Sequence, residues 1–286
     1  MRDVIYEPEP DARLLVREQR PAEPKGEVIL VHGLEGSSES GYMRSMAAAL
    51  LEAGYAVHRY NMRGCGGSPW TKKANYHSGQ TGDLLFVARQ RRAASGLPIY
   101  AVGFSLGGNV VLKLAGELAG QGGELLRAVC GVCAPIDLAA SVRLMGARQN
   151  ILYQRRFVAR LKERVRRRHP IAPDLFPLEH LPKVHTIWDF DDYYTARIFG
   201  FGTAANYYRT QSSNQFLEHI RIPALVIHAQ DDPMIPSATY DLRAFAQNPN
   251  LIKLTVPRGG HLGFIARGTP RFWLDGAITQ WLRQFV

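Results

Sequence analysis

The chain has 286 residues, 46% hydrophobic and 21% charged, a balance that excludes a disordered or fibrous protein and supplies a core for one large α/β domain or two small ones. A net charge of +10 favours anionic partners (lipid headgroups, nucleic acid or an acidic substrate), and three cysteines, Cys65, Cys130 and Cys133, are too few for a disulfide framework. No window holds the ~18 apolar residues of a membrane span and the N-terminus lacks an apolar leader stretch, so the expected location is the cytoplasm.

Residues 1–26 alternate weakly and read as one or two edge strands. Glu27 to Val31 (EVILV) is the first strong core strand and runs out into His32-Gly33-Leu34-Glu35-Gly36-Ser37. An alanine-rich helix over Tyr42 to Leu51 is stopped by Gly54. The strand Ala56 to Asn61 ends in the turn Arg63-Gly64-Cys65-Gly66-Gly67-Ser68-Pro69, and Gly82 to Ala94 reads as a helix exposing Arg89, Arg91 and Arg92. Ile99 to Phe104 has the pattern of a buried strand, and Val110, Val111, Leu114 and Ala115 then recur at helical spacing. Arg127 to Ala134 is the next strand, where Cys130 and Cys133 are expected as buried strand residues and not as a redox or metal pair. Residues 138 to about 216 are basic and interrupted by Pro170, Pro173, Pro177 and Pro182. Alternation returns with the strand Ala224 to Ala229, a helix near Ser237 to Ala246, the strand Leu251 to Val256 and a terminal helix from about Pro270.

Strands alternating with helices predict an α/β fold: a mostly parallel central sheet covered by helices on both faces. Residues 1–137 and 217–286 form the core, and 138–216 form a helical cap inserted over the strand ends, where sites in such sheets lie.

Gly103-Phe104-Ser105-Leu106-Gly107 sits between the buried strand and the helix, the context of a nucleophile elbow that holds a serine hydroxyl above the sheet edge. Such a serine needs a base to take its proton and an acid to orient the base. His261, in Arg258-Gly259-Gly260-His261-Leu262-Gly263-Phe264, is the candidate base because that loop can carry it over the sheet edge. Asp137, Asp231 and Asp232 are the candidate acids at strand ends. Asp232 is preferred, since Pro233 holds it extended beyond the strand, Asp231 suits a local turn cap and Asp137 is the runner-up. The oxyanion hole is expected from the backbone N–H groups of Leu106 and Leu34. His32 reads as a structural hydrogen-bonding residue. No ligand spacing suggests a metal and no phosphate loop a nucleotide, so no cofactor is expected.

HGLEGSSES, N-x-RGCGGSP, GFSLGGN, AQDDPMIP and GGHLGF occur in register over residues 28–265, and together they resemble the α/β-hydrolase superfamily, more narrowly its YheT-like branch. The run from Asp191 through Gly200-Phe201, Tyr207-Tyr208, Ser212, Ile220 and Pro223 to Asp231-Asp232 follows that branch as well, while Asn206 departs from the acidic residue or threonine usual there. The resemblance implies a triad of Ser105, Asp232 and His261 and an esterase or lipase activity.

Arg155 to His169 places Phe157, Val158, Leu161 and Val165 on one helical stripe, expected to dock a cap helix and leave a solvated basic face. That face could also be drawn to an anionic membrane surface as a peripheral contact; nucleic acid is not expected, because no reading motif accompanies the charge. The cap aromatics Trp188, Phe190, Tyr193, Tyr194, Phe199 and Phe201 suit an apolar wall over an acyl chain, with Phe199 and Trp188 expected to line it and Tyr207 and Tyr208 to fix the cap to the core. The expected function is a serine carboxylester hydrolase acting on a small-molecule ester or lipid through an acyl-enzyme. An acyltransferase or thioesterase would share the triad, whereas a non-catalytic binding module would need none.

Overall fold

In the computed structural model, which describes residues 1–268 and 271–286, one eight-stranded sheet organises the chain. Its strands are β1 (Arg2–Glu9), β2 (Ala12–Gln19), β3 (Glu27–Val31), β4 (Ala56–Tyr60), β5 (Ile99–Phe104), β6 (Ala128–Val132), β7 (Ala224–Ala229) and β8 (Leu251–Val256), in the order β1-β2-β4-β3-β5-β6-β7-β8. The β1–β2 and β2–β4 pairs are antiparallel and all the others parallel. β3, β4, β5, β6 and β7 are buried along their whole length, because helices cover both faces and a continuous apolar run is then the stable sequence.

Successive residues of each strand feed opposite cores. Ile29, Val31, Ala101 and Val129 face α2 (Thr81–Ser95) and α3 (Leu106–Leu118), whereas Val28, Leu30, Tyr100 and Val102 face α1 (Gly41–Glu52) and the C-terminal helix Trp273–Leu282. The expected start of that last helix at Pro270 lies outside the described residues. The helix expected near Ser237 to Ala246 is two short turns, Ser237–Tyr240 and Ala244–Gln247.

One charge expected on the surface turns inward. Arg91 grips Glu27 in a bidentate pair at 2.8 and 2.9 Å, because Glu27, at the head of β3, has no exposed surface and needs a cation. His58 reaches the same carboxylate at 3.0 Å and Glu18 at 3.3 Å. Burial pushes the Glu27 carboxyl up, but Arg91 and His58 outweigh it and hold it at about 2.

Between β6 and β7 run α4 (Leu138–Met145), α5 (Ile151–Arg168), short turns over 178–198 and α6 (Ala204–Gln211). This segment has its own apolar cluster, including Val158, Leu161, Val165, Phe176 and Phe190. Val158, Leu161 and Val165 of α5 are buried as expected and Phe157 is half-buried, but Arg164 and Arg168 of the same helix are buried with them and leave the solvated face. The helical period is the reason: Leu161, Arg164 and Arg168 stand three and four residues apart, on one stripe. Arg168 donates to the carbonyls of Ala74 and Thr71, closing α5 onto the loop after β4.

Candidate active site

The strand order reverses around β3, which lies between β4 and β5, so the carboxyl ends of β3 and β5 open a crevice. Ser105 stands there between β5 and α3 with φ 53° and ψ −122°, a strained conformation for a residue with a Cβ. The turn closes only with glycines on both sides. A Cβ on Gly103 would lie 2.1 Å from the Gly107 carbonyl oxygen, and one on Gly107 would lie 2.3 Å from that of Val31.

His261 Nε2 lies 3.0 Å from Ser105 Oγ, and its Nδ1 lies 2.8 Å from Asp232 Oδ2. The Asp232 side chain is fully buried, and its other oxygen accepts from the N–H groups of Met234 (2.8 Å) and Ile235 (3.2 Å), which lock its rotamer. The three predicted residues therefore meet in one line, from loops after β5, β7 and β8. Asp137 does not join them: it caps α4 by accepting from Ala140 N–H at 2.9 Å.

Asp231 is not the local turn cap expected of it, since Asp232 accepts from the turn amides Met234 and Ile235 instead. Asp231 Oδ1 accepts from both Gly259 and Gly260 N–H at 2.8 Å, pinning the loop that presents His261, and these amides hold its carboxyl below the usual range. The paired acids Asp231-Asp232 thus divide the work, one gripping the loop and the other its histidine.

The turn after β3 leaves one amide free. Gly33 N–H donates to Tyr42 Oη, Glu35 N–H to Tyr76 Oη and Gly36 N–H to the Gly33 carbonyl, whereas Leu34 N–H has no acceptor among the described residues. Leu106 is the first residue of α3, where an N–H has no intrahelical partner. Both leucines line the cavity that holds Ser105 and His261. His32 is fully buried; its Nε2 accepts from Met62 N–H (3.1 Å) while Nδ1 faces the Gly33 carbonyl (2.7 Å). Burial lowers it to about 4, a neutral residue bracing the turn.

Cys133 stands just past β6 at φ 44°, and its thiol, Asp232 and His261 offer ligand atoms within 4.8 Å of one another. Burial pushes that thiol far above its usual range, and Asp232 and His261 are already hydrogen-bonded to each other. Cys130 is a buried β6 residue.

The cavity over Ser105 has a volume of about 270 Å³ and is walled by Val142, Met145, Phe157, Leu161, Ile187 and Phe190. The wall expected from Phe199 and Trp188 is not the one observed: Phe199 packs on His77 (4.7 Å between centroids) and Trp188 on Tyr208 (4.9 Å), one layer behind it. Tyr207 bonds Ser78 Oγ at 2.7 Å and so fixes the segment to the core, whereas Tyr208 bonds Asp191 at 2.5 Å within the segment itself, and both rings also reach the cavity. Burial raises Asp191 to about 6 against the hydrogen bonds it accepts from Thr195 and Tyr208. Sequence reasoning missed Asn109: its side chain donates to the carbonyls of Ser78 (2.8 Å) and Gln211 (2.9 Å) and accepts from Ser213 N–H (2.8 Å), tying α3 to the chain after α6. An amide in the first turn of a helix that is apolar on either side of it was the available signal.

A family model described as alpha/beta hydrolase fold matches residues 27–267. YheT of Escherichia coli (strain K12) is 35% identical over 93% of this chain and 78% of its own. A monoacylglycerol lipase of Saccharomyces cerevisiae is 28% identical over 90% of this chain and 59% of its own. The structure of the Pyrococcus furiosus esterase Pf2001 superposes with a TM-score of 0.66 at 17% identity, covering 99% of this chain and 92% of that one, a likeness of fold.

Proposed function

The chain belongs to the α/β-hydrolase family, in its YheT-like branch, and we propose that it is a carboxylic ester hydrolase acting through Ser105, His261 and Asp232 on esters with an apolar acyl chain. The observation that carries this is the unbroken relay from Asp232 through His261 to Ser105, at 2.8 and 3.0 Å, opening into an apolar cavity. Ser105 Oγ attacks the ester carbonyl as His261 Nε2 takes its proton, and the buried Asp232 carboxylate steadies the imidazolium. The Leu34 and Leu106 amides hold the oxyanion. Collapse of the tetrahedral species passes the proton from His261 to the departing alcohol and leaves an acyl-serine. Water then attacks with His261 again as base. Residues 138–216 act as the cap that shapes the acyl cavity. The three cysteines are free thiols, which suits a cytoplasmic enzyme.

A fluorophosphonate probe should label Ser105 in the wild type and fail to label Ser105→Ala, with hydrolysis of a p-nitrophenyl ester lost in parallel. Equal labelling of the two proteins would remove the assignment. Product analysis with added glycerol or thiol separates hydrolysis from acyl transfer.

A further inference from the structure

The cavity over Ser105 is lined mainly by apolar side chains, with Ser78, Ser141, Asp191 and Thr195 set between them, and at one wall Arg164 Nε pairs with Glu35 at 2.8 Å. A second cavity, of about 360 Å³, lies across that pair and shares both residues with the first. Its other walls are polar and basic: Gly64, Gly66, Trp70, Arg160, Glu163 and Arg167. Each acid there has an arginine of its own, Glu35 with Arg164 and Glu163 with Arg166 (3.7 Å). Arg160 and Arg167 have no carboxylate partner among the described residues, and Arg167 stands over the Trp70 ring at 4.5 Å. Arg164 is nine-tenths buried, yet its Nη1 makes no hydrogen bond and its Nη2 has only the weak acceptor Cys65 Sγ at 3.1 Å. A buried guanidinium with spare donors, between an apolar cavity and a basic one, is suited to an amphiphile whose head is a phosphate, which a guanidinium fork meets with two parallel hydrogen bonds.

Building on the ester-hydrolase reading above, we propose that Arg160, Arg164 and Arg167 form a phosphate-headgroup subsite, and that the substrates are single-chain esters bearing a phosphate on the alcohol side. The acyl chain occupies the apolar cavity. Glu35, one residue beyond the Leu34 oxyanion donor, marks where the alcohol side leaves the reacting carbonyl and enters the basic cavity. Neutral esters fill the first cavity and gain nothing from the second.

Isothermal titration calorimetry measures binding directly. Octyl phosphate should bind the wild-type protein about tenfold more tightly than octanol, the increment expected of charge-assisted contacts. The double variant Arg160→Gln, Arg167→Gln, both at exposed helix positions, should abolish that preference. Arg155→Gln with Arg156→Gln, elsewhere on the exposed face of α5, should keep it. Equal affinities for the two octyl compounds would overturn the subsite, as would equal loss of the preference in the two double variants, since that is diffuse charge. Inorganic phosphate competing as strongly as octyl phosphate would overturn the headgroup assignment in favour of a free-phosphate site. Fluorophosphonate labelling separates the two readings: no labelling with the binding preference intact defeats only the ester reading, and labelling without the preference defeats only the subsite.

Discussion

At the scale of single residues, the site turns on which carboxylate steadies His261. Asp232 is buried against the imidazole, so Asp232→Asn should lower kcat by about 10⁴-fold, as loss of the orienting acid does in such triads. Asp137 is committed to the first turn of α4, where asparagine caps as well as aspartate, so Asp137→Asn should leave kcat within about threefold of wild type. Asp231→Ala releases the loop and not the base, and should fall between them, at about tenfold. Steady-state kinetics on a p-nitrophenyl ester rank the three, and a larger loss from Asp137→Asn than from Asp232→Asn would displace Asp232. The choice of Asp232 was legible from the proline that follows it, but the grip of Asp231 on the histidine loop was not, because its partners Gly259 and Gly260 lie far along the chain and local turn chemistry does not point to them.

At the scale of elements, the strands were legible because helices bury both faces of a parallel sheet, so apolar runs such as EVILV and ALVIHA stand out. The elbow was legible for a similar reason, since its glycines answer to collisions within ångströms of the backbone. Of the inserted segment only the apolar stripe of α5 was legible, and the turns that follow it were not. Its short turns carry no sustained period, so which aromatics face the serine depends on how separate turns stack. Ile187 and Phe157 line the cavity and Phe199 stands behind it, so Ile187→Ala and Phe157→Ala should shift the preferred acyl chain to greater length. Each added methylene they admit contributes about 0.8 kcal/mol, roughly fourfold in kcat/KM. Phe199→Ala should leave the chain-length profile where it was. A ladder of p-nitrophenyl esters measures this, and a shift in the Phe199 variant alone would relocate the acyl wall.

At the scale of the whole molecule, stability in acid should depend on the buried cluster of Glu27, Arg91 and His58. The folded value of Glu27, about 2, lies below its ordinary 4.5, so its contribution is complete above about pH 4.5 and is lost as the pH falls toward 2. The shift corresponds to stabilisation on the order of 3 kcal/mol. Glu27→Gln should lower the urea midpoint at pH 7 and flatten its decline between pH 4.5 and 2; an unchanged acid limb would place the acid sensitivity elsewhere.

The clasp at Asn109 has a mechanical consequence. The helix that begins at the nucleophile holds Ser78, Gln211 and Ser213 through one side chain, so the far end of the insertion is bolted to the part of the core that must not move. Unfastening three buried hydrogen bonds costs roughly 3 kcal/mol, which leaves about one molecule in a hundred released at any instant. That end of the insertion and the turn that carries Ser105 therefore form one rigid piece, fastened within a few residues of the serine.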